Sequence, residues 1–507
     1  MSFVDDLEPP PSRHPRAVLP TLVSVAALTA IVSSLGAPLI PSIAHADHVS
    51  LSEGEWLLTA TLMTGACATP VLGRLADGPR PRRILALTLA VVLAGCVLAA
   101  VSTTFLVLVI GRGLQGFGLG LLPVTMAMAR NQLPPDQAKR AIATLSVIAA
   151  VGLGLGYPIT ALIAQAFDVA AAFWFGAIAV AVGLVLVLAV LPARSAAPAR
   201  RLDVIGATTL GIAIIAISLT LSEGGGWGWT SPGTVLLLVG SAVFFALWIW
   251  RELTTPEPLI DVRQVRHRQV ATADGAAFLM GISMYLFLPI VVEFVQIPRT
   301  AGYGFGASLV GAGFVLVPLS AGSYLSSRCL VRFERRFGAR ALIPFGSLAF
   351  TATALFFAFE HRAFWEAFVA SGVGGIGLGF TFAAMPGLIV RAVPPAETGS
   401  ALGFYQVWRS VGLSVGSALA AAILTANTAR GGAIPHLHGF RDTLLVAAAL
   451  SVAAGAVGYL LPGRLPTLSA AETEAVQRIE EEEAELAATA FSFDPVAVPS
   501  DAAGSQR

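Results

Sequence analysis

The chain has 507 residues, of which 56% are hydrophobic and 12% are charged, and its mean hydropathy is +0.78. This composition leaves too little polar surface for a water-soluble fold, so we expect an integral membrane protein. The formal net charge of +1 gives no reason to expect a nucleic-acid partner. The three cysteines lack the spacing typical of a disulfide or a metal site, and no metal is expected.

Fourteen apolar segments approach the length of about 20 residues at which a helix crosses a bilayer. They lie near residues 17–37, 56–73, 84–101, 105–127, 141–165, 169–191, 204–221, 233–250, 270–292, 306–326, 341–359, 363–388, 400–425 and 443–461. An even number of spans places both termini on one side, where the loops are also rich in Arg. The positive-inside rule assigns that side to the cytoplasm. We therefore predict an all-α, multi-pass protein of a bacterial-type cell membrane with cytoplasmic termini.

An internal repeat divides the predicted spans into two related sets of six. Gly116, Gly118 and Gly120 recur at one constant spacing as Gly375, Gly377 and Gly379, and Gly152 with Gly156 matches Gly412 with Gly416. Repeated halves around a central site are typical of secondary transporters. We predict an N-terminal tail (1–16), an N-terminal six-helix bundle (17–191), two inserted helices with their loops (192–269), a C-terminal six-helix bundle (270–461) and an acidic cytoplasmic tail (462–507).

Two arginines lie inside predicted spans, where an ionised side chain costs about 3 kcal/mol on insertion scales. Arg112 in the fourth span corresponds to Ser371 in the repeat, and Arg409 in the thirteenth corresponds to Ala149. Because a membrane charge usually has a partner or a function, we expect both arginines to take part in coupling or transport. Capping of backbone carbonyls, or the joining of two helices, is the alternative for each.

The helix of the ninth span carries two acidic residues, one near its start and one at its end, that are candidates for the titrating group. Asp274 lies near the helix N-terminus, where the macrodipole offers a structural alternative. Glu293 lies near the other end, and extension of its side chain to the outer interface is the alternative there. We add Gln115 to the coupling residues and predict that Tyr285 and Gln406 line the transport cavity.

Three motifs resemble signatures of a known transporter family. Gly73–Arg83, GRLADGPRPRR, is similar to its loop signature after helix 2, and Ile110–Gly120 is similar to its helix-4 signature. Gly152–Pro158, GLGLGYP, resembles its antiporter signature in helix 5. With the segments that frame the two inserted helices, the whole chain resembles the major facilitator superfamily, specifically its 14-helix drug:proton antiporter branch.

The resemblance implies the major facilitator fold and assigns roles in conformational change to some residues. Gly73, Asp77 and Arg83 would form a latch on the cytoplasmic side, and Gly152, Gly156 and Pro158 would serve the antiporter motif. An ordinary surface ion pair is the alternative for Asp77, and close helix packing is the alternative for the two helix-5 glycines. The sequence departs from the family at Val32, which stands where an acid usually partners the helix-4 arginine.

We predict a secondary active transporter, rather than an enzyme, that exports drug-like or amphipathic small molecules by alternating access. The proton gradient would supply the energy, and no cofactor is expected. The expected partners are the small-molecule substrate, protons and the lipid bilayer, and we expect a monomer. Two alternatives stay open: facilitated or proton-symport transport of a metabolite, and a non-transporting membrane sensor or scaffold of the same fold.

Overall fold

The structure is a computed structural model that describes residues 17–76, 78–133, 135–192, 202–260, 262–263, 268–392, 398–429 and 434–460. Within these ranges the chain is helical and forms no β-strand, apart from an isolated bridge between Thr428 and Pro435. The predicted all-α class is therefore confirmed. The predicted tails, 1–16 and 462–507, lie outside the described residues and stay predictions.

The described helices follow one another through mostly short connections. The N-terminal half, as we call α1–α9, consists of α1 (Val18–Ser33), α2 (Ile40–Ala46), α3 (Leu51–Gly54), α4 (Trp56–Ala76), α5 (Pro81–Ala100), α6 (Phe105–Gly116), α7 (Leu121–Gln132), α8 (Pro135–Ala166) and α9 (Val169–Val190). Two further helices are α10 (Val204–Trp227) and α11 (Pro232–Thr254). The C-terminal half consists of α12 (Arg268–Gln296), α13 (Leu309–Phe314), α14 (Val317–Phe337), α15 (Leu342–Phe359), α16 (Phe364–Ala392), α17 (Thr398–Ala426) and α18 (Leu437–Tyr459).

Twelve helical segments of the described chain are long and apolar enough to cross a membrane. One of them, Phe105–Arg130, combines α6 and α7 through a 3-10 turn at Phe117–Gly120. Two more apolar helices, α1 and the Leu155–Ala166 part of α8, are shorter. The predicted number of fourteen spans and the cytoplasmic position of both termini stay predictions.

The glycines of the internal repeat make equivalent close contacts in the two halves. In the N-terminal half, Gly152 and Gly156 of α8 lie against Ala27 and Ile31 of α1. In the C-terminal half, Gly412 and Gly416 of α17 lie against Phe278 and Ile282 of α12. Gly116 of α6 likewise lies against Thr61 of α4, and Gly375 of α16 lies against Leu319 of α14. Small residues let helix backbones approach closely within a bilayer. The repeat seen in the sequence is therefore also a repeat of helix contacts.

Helices α10 and α11 form a pair, and α10 packs against α4 and α17. The hydroxyls of Ser218 on α10 and Ser414 on α17 lie 3.1 Å apart, which joins α10 to the C-terminal half. The indole Nε1 of Trp56, the first residue of α4, donates to Glu223 Oε1 of α10 at 2.9 Å. Helix α10 therefore bridges one helix of each half.

An ion pair and hydrogen bonds of buried acids connect the start of α10 with the end of α11 and the segment after it. Arg251 Nε lies 3.2 Å from Asp203 Oδ2, and the Asp203 side chain is almost fully buried. The buried carboxylate of Glu252 accepts hydrogen bonds from Trp248 Nε1 at 2.8 Å and from the Ile260 backbone N–H at 3.2 Å. These acids lie in or beside the RLDVIG and PEPLID segments that frame the inserted helices in the sequence.

The two halves meet where α4 begins and α12 ends, a region that we call the distal end. The polar contacts that cross between the halves there include Gln296 Nε2 to Pro38 O at 3.4 Å, Thr59 Oγ1 to Ser417 Oγ at 2.9 Å, and Val310 N to Gln165 Oε1 at 3.3 Å. Gly313 of α13 also lies against Tyr157 and Pro158 of α8. These contacts close the distal end in this structure.

Candidate functional site

Arg112 is the largest fully buried side chain among the described residues. Its guanidinium has four hydrogen-bond acceptors: Gln115 Oε1 at 2.6 Å, Leu57 O at 3.3 Å, Val32 O at 3.4 Å and Ser33 O at 3.4 Å. Within the described part of the chain, no acidic side chain forms an ion pair with it. Backbone carbonyls and one amide therefore surround this charge.

The partners of Arg112 follow from the place where α1 ends. Helix α1 stops at Ser33, so Val32 and Ser33 lie in its last turn, where carbonyls lack their i+4 helical donors. The Val32 carbonyl accepts from the Leu35 N–H at 3.2 Å as well as from Arg112. The negative end of the helix dipole points the same way, and it favours a cation at this position. Gly36 lies directly against the guanidinium, because a Cβ there would come within 2.7 Å of Arg112 Nη2. The carbonyls at the end of α1 thus accept from Arg112, where the family resemblance would lead us to expect an acidic partner at position 32.

Gln115 lies one helical turn after Arg112 and is also buried. Its Oε1 accepts from Arg112, while its Nε2 donates to Gly95 O of α5 at 3.3 Å. The Arg112 backbone carbonyl accepts from Thr61 Oγ1 of α4 at 3.0 Å. These bonds connect α1, α4, α5 and α6 in one polar core of the N-terminal half.

Arg409 has a more open environment than Arg112. It is half-buried on α17, and its guanidinium carbon lies 5.5 Å from the ring centre of Phe382 on α16. Its Nε has no hydrogen-bond partner within the described residues. The buried phenol of Tyr285 on α12 lies within electrostatic range of both Arg112 and Arg409. Gln406 is half-buried one turn before Arg409. The structure therefore places these predicted residues in one region of the molecule.

Asp274 and Glu293 lie towards opposite ends of α12, and both are buried. Helix α12 begins at Arg268, so Asp274, which was expected near the helix N-terminus, lies in the second turn. The macrodipole acts mainly on the first turn, so it does not explain this acid. The alternative for Glu293, extension of its side chain to the outer interface, does not describe the structure, because this side chain is 0% exposed. Neither carboxyl group has a hydrogen-bond donor among the described residues.

Glu55 is a candidate residue that the sequence reasoning missed. It directly precedes α4 at the distal end and is 0% exposed. Its carboxyl group and that of Glu293 lie within hydrogen-bonding range of each other, and the described residues supply no other donor to either. Two carboxyl groups so close together cannot both ionise easily. The sequence feature that could have identified Glu55 is its position directly before an apolar span, in the segment GEWLL.

The predicted conformational residues differ in how much the structure says of them. Asp77 lies outside the described residues, so its role in a latch stays a prediction. Gly73 is half-buried with open space around it, and Arg83 is exposed. In the same region, Arg74 Nη2 lies 3.5 Å from Glu257 Oε2. Pro158 lies inside α8, in the segment that packs against Gly313 of the C-terminal half.

Two related helical halves with ionisable groups buried at membrane depth are typical of secondary transporters. The sequence model described as Major Facilitator Superfamily matches residues 22–333 and residues 273–497. The chain belongs to the major facilitator superfamily, so the predicted resemblance to this family is confirmed. Its assignment to the 14-helix branch stays a prediction.

Curated relatives include several proteins with resistance in their names. Multidrug resistance protein 3 of Bacillus subtilis is 25% identical and covers 75% of this chain and 74% of its own length. Multidrug resistance protein Stp of Mycobacterium tuberculosis is 26% identical and covers 76% of this chain and 72% of its own length. The methylenomycin A resistance protein of B. subtilis is 25% identical, with 80% and 87% covered.

Solved structures of two transporters share the fold. The nucleoside transporter NupG, in a mutant form, has a TM-score of 0.60 at 15% identity and covers 87% of this chain and 98% of its own. The human organic anion transporter MFSD10 has a TM-score of 0.59 at 14% identity, with 89% and 100% covered. At these identities the likeness concerns the fold alone.

Proposed function

We propose that the protein is a secondary active transporter that exports drug-like or amphipathic small molecules in exchange for protons. The observation that carries the proton coupling is the burial of three carboxyl groups, Glu55, Asp274 and Glu293. Among the described residues they have no cation partner, and no hydrogen-bond donor outside the Glu55–Glu293 pair. A carboxyl group in a low-dielectric interior is stable there mainly as the neutral acid. Such groups mark proton pathways in transport proteins. The names of the curated relatives support drugs as the substrate class.

Alternating access in this proposal uses the two halves as moving bodies. The distal end is closed by a few hydrogen bonds and small-residue contacts rather than by an ion pair of the described residues. Contacts of this kind break at low cost, because each exposed partner can bind water instead. Arg112 and the carbonyls of α1 would stay together within the N-terminal half during this movement.

The topology and setting of the transporter belong to the same proposal. Twelve long apolar segments, together with α1 and α8, support fourteen spans in a 6+2+6 arrangement. The arginine-rich loops support a cytoplasmic position for both termini, and hence for the end opposite the distal end. We propose a monomer in the cell membrane that uses the proton gradient and requires no cofactor.

Drug accumulation in cells tests this function. Cells that express the protein should retain less of at least some members of a panel of fluorescent amphipathic drugs than cells with an empty vector. Addition of a protonophore should remove the difference, because the exchange would lose its driving force. Equal retention across the panel would contradict drug export, and export that survives the protonophore would contradict proton coupling.

A further inference from the structure

The Glu55–Glu293 pair joins the two halves of the protein at a point where they must separate for the distal end to open. Glu55 belongs to the N-terminal half, just before α4, and Glu293 belongs to the last turn of α12. Both side chains are 0% exposed, and their carboxyl groups lie within hydrogen-bonding range of each other. Their contact is therefore part of the closed distal end.

Glu55 and Glu293 lie at opposite ends of their helix dipoles, so the dipoles act on a negative charge in opposite ways. Glu55 directly precedes α4, and its backbone carbonyl accepts from the Leu58 and Thr59 N–H groups at 3.0 and 2.9 Å, so it lies at the positive end of the helix dipole. Glu293 lies in the last turn of α12, at the negative end of that dipole. In a singly protonated pair the two helix dipoles therefore favour the proton on Glu293, with its O–H directed to Glu55.

The surroundings of the pair supply no compensating cation among the described residues. The titratable groups within electrostatic range of Glu55 are the phenols of Tyr157, from α8, and Tyr285, from α12. Arg112 of α6 acts on both phenols, but its own hydrogen bonds go to carbonyls and Gln115. The histidines of the neighbouring α2 region, His45 and His48, are not buried. Loss of the proton of a singly protonated pair would thus leave two uncompensated carboxylates face to face.

Other contacts between the halves at the distal end are neutral and would not respond to pH in this way. The Thr59–Ser417 and Gln296–Pro38 hydrogen bonds involve hydroxyl, amide and carbonyl groups. Beside the pair, Phe294 is buried and packs edge-on against several rings of the C-terminal half, among them the imidazole of His361 at 5.2 Å between ring centres. The cluster that holds Glu293 in place is mostly apolar, and its titratable members are His361 and Tyr303.

We propose that Glu55 and Glu293 form a proton-operated latch for the distal end of the transporter. A proton that enters from the distal side binds between the two carboxyl groups and holds the halves together. Release of that proton to water breaks the O–H···O bond, leaves two carboxylates, and drives the halves apart by like-charge repulsion. The latch deepens the proposed function and rests on it, because it supplies the step at which protonation closes one side.

Distance measurements between the two halves test the latch directly. Spin labels would be attached at Phe167→Cys, which follows α8, and at Arg362→Cys, which precedes α16, in a chain whose three native cysteines are replaced. Both positions are exposed. The distance distribution would be recorded by pulsed electron spin resonance in lipid nanodiscs between about pH 5 and about pH 9. Loss of one proton on opening raises the ratio of open to closed molecules by up to about tenfold per pH unit.

The pH dependence of this distance is compared between the parent protein and two variants. The chain with both glutamates should shift towards the longer, open distance as the pH rises. The double variant Glu55→Gln/Glu293→Gln keeps a hydrogen bond but has no proton to lose, so it should stay closed across the range. Glu53→Gln is the matched control, because this nearby carboxylate accepts from Ser50 outside the pair, and it should shift like the parent chain.

Two results would overturn the latch: a parent chain whose distance does not depend on pH, or a double variant that opens with pH as the parent does. The first result needs no glutamate variant, so it stays informative if a variant folds poorly. The measurement uses neither a drug nor a proton gradient. A failed latch with protonophore-sensitive export would leave the proposed function intact, and a working latch without export would contradict only the proposed function.

Discussion

Replacement of Arg112 by alanine is expected to abolish drug export and to lower the melting temperature of the purified protein by several degrees. The fully buried guanidinium donates to the carbonyls of Val32, Ser33 and Leu57 and to Gln115. A buried acceptor that loses its donor costs about 1–3 kcal/mol, and the cavity left by the side chain adds to this. The end of α1 would then lose its position relative to α6.

Two further variants test whether the effect depends on the hydrogen bonds of Arg112 or only on a positive charge inside the membrane. Arg112→Lys keeps the charge but cannot reach several acceptors at once, so its export and melting temperature should both fall between those of the parent and Arg112→Ala. Arg409→Ala should cost less stability, because Arg409 is half-buried and its described contact is with the Phe382 ring. Export would be measured in cells, and melting by intrinsic fluorescence in detergent. Unchanged melting of Arg112→Ala would refute the role of the arginine at the end of α1.

The location of Arg112 was predictable from the sequence, but its partners were not. A single arginine inside an apolar run at once identifies a costly buried charge. The apolar run at 17–37 was predicted as one span, and the helix-stop letters Gly36 and Pro38 after Ser33 indicate only that α1 can end there, not which carbonyls would face Arg112. Only the three-dimensional course of the chain shows that helix-terminal carbonyls take the place of the missing acid. Of the alternatives that the sequence left open, capping of carbonyls describes the observed contacts.

Glu55 and Glu293 show a second reason why site residues can be missed in the sequence. Glu293 was recognised because it lies inside an apolar segment, whereas Glu55 lies one residue before such a segment and reads as part of a polar loop. Its burial depends on the approach of α12 from the other half of the chain. A contact between residues so far apart in the sequence has no local periodicity, so spacing rules do not reveal it.

The repeat carried more structural information than any single motif. A match of glycines between two segments predicts that equivalent helices pack alike, and the observed contacts of Gly116 and Gly375 with α4 and α14 follow that pattern. Close helix packing is a local property of small residues, so it survives wherever the same letters recur. The single differences within the repeat, such as Arg112 against Ser371, need the tertiary structure for their interpretation.

Alanine at Gly116 or at Gly375 is expected to reduce the amount of folded protein severely. A Cβ at Gly116 would overlap the backbone carbonyl of Thr61, and a Cβ at Gly375 would overlap that of Leu319. A backbone oxygen cannot rotate away as a side chain can, so the two helices must separate. Overpacking of this kind costs about 1–3 kcal/mol, and the displaced helices would also disturb the other contacts of each half.

The repeat supplies its own controls, because Gly113 and Gly372 lie three residues before the sensitive glycines in each half. A Cβ would meet Thr64 Oγ1 at 3.6 Å in one case and Pro318 Cβ at 3.4 Å in the other, which are ordinary van der Waals distances. Gly113→Ala and Gly372→Ala should therefore give parent-like yields and melting temperatures by size-exclusion chromatography and fluorescence. If Gly116→Ala were as stable as Gly113→Ala, the close approach of α6 to α4 would be wrong. The same comparison in the C-terminal half checks the packing of α16 on α14 independently.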